Sequence, residues 1–97
     1  MKLDVNKIES LKDYFKTQPV LKAYFFGSFV RNEADHRSDI DILVDLDYSQ
    51  DIGLQFIQMK YDLEKLLNSK IDLVSSRSLS THLESVVNKE KELIYAR

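Results

Sequence analysis

Two short strings in this chain carry residue types suited to phosphate chemistry. "GS", Gly27-Ser28, closes an apolar run, and "DID", Asp39-Ile40-Asp41, follows after ten intervening residues. A strand that ends in glycine and turns into a helix presents unpaired backbone N–H groups. Those donors and the helix dipole favour an anion such as phosphate. Gly27 lets the backbone approach a ligand without a Cβ in the way, and Ser28 adds a hydroxyl donor. Alone, such a turn reads first as an ordinary strand end. Asp39 and Asp41, two apart on a strand, put both carboxylates on one face with their Cα atoms about 6–7 Å apart. Like charges that close need something to offset them, and a hard divalent cation such as magnesium takes carboxylate and phosphate oxygens together. Without more, D-x-D is a solvated acidic face that discourages edge-to-edge aggregation.

Asp72 shifts that balance. It interrupts the apolar run "IDLV", so that Ile71 and Leu73 face one side of a strand and Asp72 shares the other with Val74. A carboxylate there is costly unless something uses it. In a strand beside the one bearing Asp39 and Asp41, it completes a cluster able to hold two metal ions, which can stabilise both the attacking and the leaving oxygens of a phosphoryl displacement. Other sites fit poorly. No G-x-x-x-x-G-K-[ST] string exists, and "DIDILVDLD" lacks the central glycine and alternating ligands of an EF-hand loop. His36, in a polar loop, and His82, read as a polar or half-buried helix residue, suggest no serine–histidine triad.

The elements that must position these residues alternate along the chain. Asn6 is the expected cap of a helix over about residues 7–18, with Ile8, Leu11 and Phe15 at helical spacing and Pro19 ending it. "VLKAYFF", 20–26, reads as a strand stopping at Gly27, residues 28–33 as a short helix, and "NEADHRS" as a loop. "SDIDILVDL", 38–46, alternates strictly, with Ile40, Ile42, Val44 and Leu46 opposite Asp39, Asp41, Leu43 and Asp45. A helix over about 51–68 carries the stripe Ile52, Phe56, Met59, Leu63 and Leu66, widened by Ile57, Tyr61 and Leu67. "KIDLVSS", 70–76, is a third strand. Ser78 or Ser80 caps a last helix through Lys89, with Leu83, Val86 and Val87 inward, and "ELIYAR" closes the chain as helix end or, preferably, a short strand. The expectation is an α/β (α+β) domain with a small mixed sheet flanked by helices.

At 97 residues and 43% hydrophobic, the chain is expected to form one domain, 1–97, around one core, with no second domain expected to hold a large substrate. Fourteen basic against sixteen acidic residues, with the lysines scattered, leave no footprint for direct nucleic-acid binding. The chain has no cysteine, which fits a reducing cytoplasm. "MKLDVNKIES" lacks an apolar signal core and no apolar run nears about 18 residues, so neither secretion nor membrane spanning is expected.

Gly27-Ser28, ten residues, then Asp39-Ile40-Asp41 resembles the signature of the DNA polymerase β-like nucleotidyltransferases. The chain's length and the later "KIDLV" are similar to the minimal nucleotidyltransferases of that superfamily, some of which are the antitoxin of a HEPN-domain toxin. The resemblance runs over nearly the whole chain. It implies the nucleotidyltransferase fold, ATP as nucleotide donor and two Mg2+ ions. By position, Gly27 and Ser28 would hold the triphosphate, Asp39 and Asp41 would bind magnesium, and Asp72 would be the third metal-site carboxylate and help activate the attacking hydroxyl. Arg31 falls where many members have the arginine of "GSxxRG" and would steady phosphate or nucleotide; read without the family, it is equally a solvated helix arginine. Phe29 stands where arginine is frequent and Asn32 where glycine is common, although asparagine tolerates left-handed backbone. The implied reaction moves AMP from ATP to a hydroxyl, a tyrosine of the cognate HEPN toxin, in a hetero-oligomer with it. Phe29 and the apolar 51–68 helix could serve as partner surface or simply as core. Two other readings stay open: a catalytically silent antitoxin that masks its partner, and a nucleotidyltransferase acting on small molecules such as antibiotics.

Overall fold

Asp4, not Asn6, starts the first helix: its carboxylate accepts the Lys7 N–H at 2.9 Å, pairing one of the four donors that a helix start leaves open. In the computed structural model, which describes residues 3–27, 30–31 and 39–97, this helix, α1, runs Val5–Lys16. It closes with the Thr17 N–H on the Tyr14 carbonyl, two residues before Pro19. Strand β1 is Val20–Phe26 and β2 is Ile40–Leu46. Helix α2, Gln55–Leu67, begins later than the apolar stripe suggests, because Gly53 at φ +37° breaks the backbone ahead of it. It stops at Asn68, which takes the left-handed conformation at φ 49°. Strand β3 is Ile71–Ser75, and a 3₁₀ turn over Ser76–Ser78 uses up the first of the two candidate caps. Ser80 caps α3, Thr81–Glu90, by accepting the Leu83 N–H, and the chain ends in β4, Glu92–Ala96, a strand.

The sheet is mixed, in the order β3-β2-β1-β4. Strand β1 is antiparallel to β2 and β4, while β2 runs parallel to β3. This is the expected small mixed sheet with helices. The core fills one face. Leu11 and Phe15 of α1 and Met59, Leu63 and Leu67 of α2 pack on Ala23, Phe25, Ile40, Ile42, Val44 and Ile71. Two expectations about helix faces fail. Ile57 and Tyr61, read as widening the α2 stripe, are 53% and 55% exposed, since the buried set Met59, Leu63, Leu67 recurs every four residues and turns them outward. In α3, Leu83 and Val86 are also exposed and only Val87 is buried. Among the described residues, no helix is long and apolar enough to cross a membrane.

Phe15 is fully buried between the two covering helices and the sheet, stacked on Tyr95 with ring centroids 6.0 Å apart. Truncating Phe15→Ala is expected to cost about 3–5 kcal/mol, a large share of the stability of a chain this size. A urea titration should show the midpoint falling with an unchanged slope.

Candidate active site

The second face of the sheet carries the acids. Residues directly opposed across a ladder share a face, and Phe26 opposes Asp41 while Asp41 lies in register with Asp72. The row Phe26–Asp41–Asp72 therefore crosses three strands at one edge of the sheet. Because β1 runs against β2 and β3, its last residues meet the first residues of the other two. The Ile40 N–H bonds to the Lys70 carbonyl at 2.9 Å and fastens the start of β2, with Asp39 just before it, to the residue ahead of β3. Glu64 of α2 accepts the Ile71 N–H at 3.1 Å and holds the start of β3 from below.

Gly27 ends β1 at φ +75°, in the region that glycine adopts freely. The reason for a glycine goes beyond the turn. A Cβ there would overlap the Oδ2 of Asp41 and stand 3.1 Å from its Cγ, so the turn packs directly on the carboxylate. The Gly27 carbonyl accepts the N–H groups of both Val30 and Arg31 at 3.1 Å, the start of the helical turn expected after the strand. Ser28, Phe29, Asn32 and His36 lie outside the described residues, and so does most of the expected 28–33 helix.

The electrostatics follow from this crowding. Burial beside the Gly27 turn is the first cause that pushes the Asp41 carboxyl up, to about 6; the negative charges of Asp72 and Asp39 and a hydrogen bond with Asp72 add to it. The Arg31 guanidinium acts in the opposite sense. Asp72, Asp39 and Arg31 are thus each near enough to act on Asp41. Among the described residues, no three acidic, histidine or cysteine side chains form a ready-made cage for a cation. What the aspartates offer is mutual repulsion at a shared edge, which a divalent cation relieves. Asp72 itself is exposed rather than buried, so it carries little of the desolvation cost expected for an acid in an apolar strand. His82 is exposed on α3.

Glu90 was not legible as part of this site. Its Oε1 accepts the Gly27 N–H at 3.0 Å, and both its oxygens accept from Nη1 of Arg31, at 3.1 and 2.9 Å. It lies 63 and 59 residues from its partners, on a helix with no motif, so no local pattern points to it.

The chain belongs to the nucleotidyltransferases: the family model described as "Polymerase beta, Nucleotidyltransferase" matches residues 9–97. Among curated relatives, the chain is 43% identical over 65 residues to the protein adenylyltransferase MntA of Thermococcus cleftensis, a match covering 67% of this chain and 65% of that protein. It is similar to a solved minimal-nucleotidyltransferase structure at 30% identity and TM-score 0.79, covering 90% of this chain and 88% of the other. It also resembles a chain of a toxin–antitoxin crystal structure with AMP-PNP, at 29% identity and TM-score 0.76, over 98% and 75% of the two chains.

Proposed function

We propose that this chain is a magnesium-dependent protein adenylyltransferase that moves AMP from ATP to a hydroxyl, a tyrosine of a cognate HEPN-class toxin, and so acts as its antitoxin. The observation that carries the reading is the contact between the Gly27 turn and Asp41, with Asp72 in register on the next strand. A triphosphate gripped at the turn is thereby set against the acids. Magnesium held by Asp39, Asp41 and Asp72 would neutralise the charge of the triphosphate and of the departing pyrophosphate.

The chain's own residues do the rest. The turn that Gly27 opens, with Ser28, receives the phosphate tail, the Gly27 N–H itself being held by Glu90, and Arg31 steadies it. The acceptor oxygen bonds to the α-phosphorus while the bond to the bridging oxygen breaks and pyrophosphate leaves. The hydroxyl proton goes to Asp72, whose exposure lets it meet a hydroxyl borne by a second protein. Positioning supplies most of the acceleration. The cytoplasm, where ATP is abundant, suits a chain with no cysteine.

Incubating the protein with labelled ATP, magnesium and a HEPN-class partner tests this. Wild type should label the partner, and Asp39→Asn/Asp41→Asn should reduce labelling by on the order of 10³-fold. A partner that stays unlabelled yet is neutralised equally by both proteins would replace the enzyme with a masking module. Label appearing on a small molecule alone would move the activity to that class of acceptor.

A further inference from the structure

Glu90 makes three hydrogen bonds that bridge the end of α3 to the turn at the end of β1. Its side chain is drawn in to 18% exposure, although α3 buries only Val87 and the partner guanidinium is 45% exposed. One carboxylate thus holds both the peptide of Gly27 and the side chain of Arg31. The Gly27 N–H would otherwise be an open donor at the sheet edge, beyond the last β1–β4 pair at Phe25 and Glu92. Both bonds that Glu90 accepts from Arg31 leave Nη1. Held there, the planar guanidinium keeps a fixed orientation, close enough to stabilise the charge of Asp41. A long arginine side chain without such an anchor spends its rotamer freedom each time it meets a ligand.

We infer that Glu90 is a positioning residue for the nucleotide: it pre-orients Arg31 beside the Gly27 turn so that the guanidinium meets the phosphates of the incoming triphosphate. This rests on the adenylyltransferase reading above. Glu90 does not touch the reacting atoms; it acts through Arg31. The carboxylate approaches Gly27 from the α3 side, whereas Asp41 packs where the missing Cβ would be.

The test uses full-length Glu90→Ala, Glu90→Gln and Arg31→Ala, read by steady-state AMP transfer, by equilibrium binding of a fluorescent ATP analogue and by thermal midpoint. Glu90→Ala should raise KM for ATP and the analogue Kd about tenfold, with kcat within about threefold. Glu90→Gln keeps an oxygen for the Gly27 N–H but loses the charge facing Arg31. It should melt near wild type and still show most of the KM increase. In an Arg31→Ala background, Glu90→Ala should change KM no further. If Glu90→Gln keeps the wild-type KM, or if the two single effects multiply in the double variant, Glu90 is only a tether for the turn and the inference falls. Wild-type protein that binds the analogue while its Glu90 variants bind equally well overturns this inference and leaves the transferase reading standing. Wild-type protein that neither binds nor transfers overturns both.

Discussion

Asp41→Asn should abolish transfer and stabilise the fold in the same molecule. The loss is expected to be on the order of 10³-fold in kcat/KM, because an amide of the same shape cannot supply the charge that a cation and a triphosphate require. The gain in stability comes from the same charge. Burial against Gly27, then Asp72 and Asp39, raise the Asp41 carboxyl from 3.8 to about 6. A folded-state pKa above the unfolded value means that the native form holds its proton longer. Between about pH 4 and 6, the unfolded chain gives up that proton while the native state keeps it, so stability falls as pH rises through the window. Above 6 the full penalty is present. Discounted for the carboxylate's partial exposure, it amounts to about 1 kcal/mol. Asparagine removes it. At neutral pH without divalent cations, Asp41→Asn should melt about 4–8 °C above wild type, and the advantage should vanish below about pH 4. Adding magnesium and ATP should raise the wild-type midpoint and leave the variant's unmoved. A variant that is no more stable than wild type at neutral pH would show that the acids at this edge do not strain one another.

Gly27→Ala should be nearly as damaging to activity, by a different route. Its φ of +75° costs an alanine about 1–2 kcal/mol on its own. The added methyl also overlaps Asp41 Oδ2 and lies 3.4 Å from the Asp41 Cβ, so the carboxylate must move. A shift near 1 Å at a reacting centre is worth about 10² in rate, and kcat/KM should fall by that much or more. Stability should drop by about 1–3 kcal/mol. The two causes can be separated with Asp41→Ala. In that background only the backbone term remains, so Gly27→Ala should cost measurably less there than in wild type. Equal costs in the two backgrounds would show that the turn and the acid are independent.

How much of this could be read in advance depends on whether a feature is local. The alternation of "IDILVDL" needs only a half-buried strand to separate Ile40, Ile42 and Val44 from Asp41 and Asp45, and the structure places them so. The wrong cap at Asn6 came from equally good capping chemistry two residues away. Asp4 wins because its carboxylate reaches Lys7. The misplaced inward faces of Ile57, Tyr61, Leu83 and Val86 share one cause: an apolar residue says that it can be buried, and only the docking angle of the helix says which ones are. Asp72, expected to be costly as an acid in an apolar run, is exposed near the start of an edge strand.

By itself the sequence determined which atoms are available and at what spacing: a glycine that ends a strand, two acids on one face of the next, a third in an apolar run. Those follow from backbone periodicity, which needs no partner. Tertiary structure alone decided that β2 and β3 run parallel with Asp41 beside Asp72, that Gly27 presses on Asp41, and that Glu90 reaches Arg31. Strand order and helix docking bring together residues that no local repeat connects, and a carboxyl's charge state depends on which neighbours arrive.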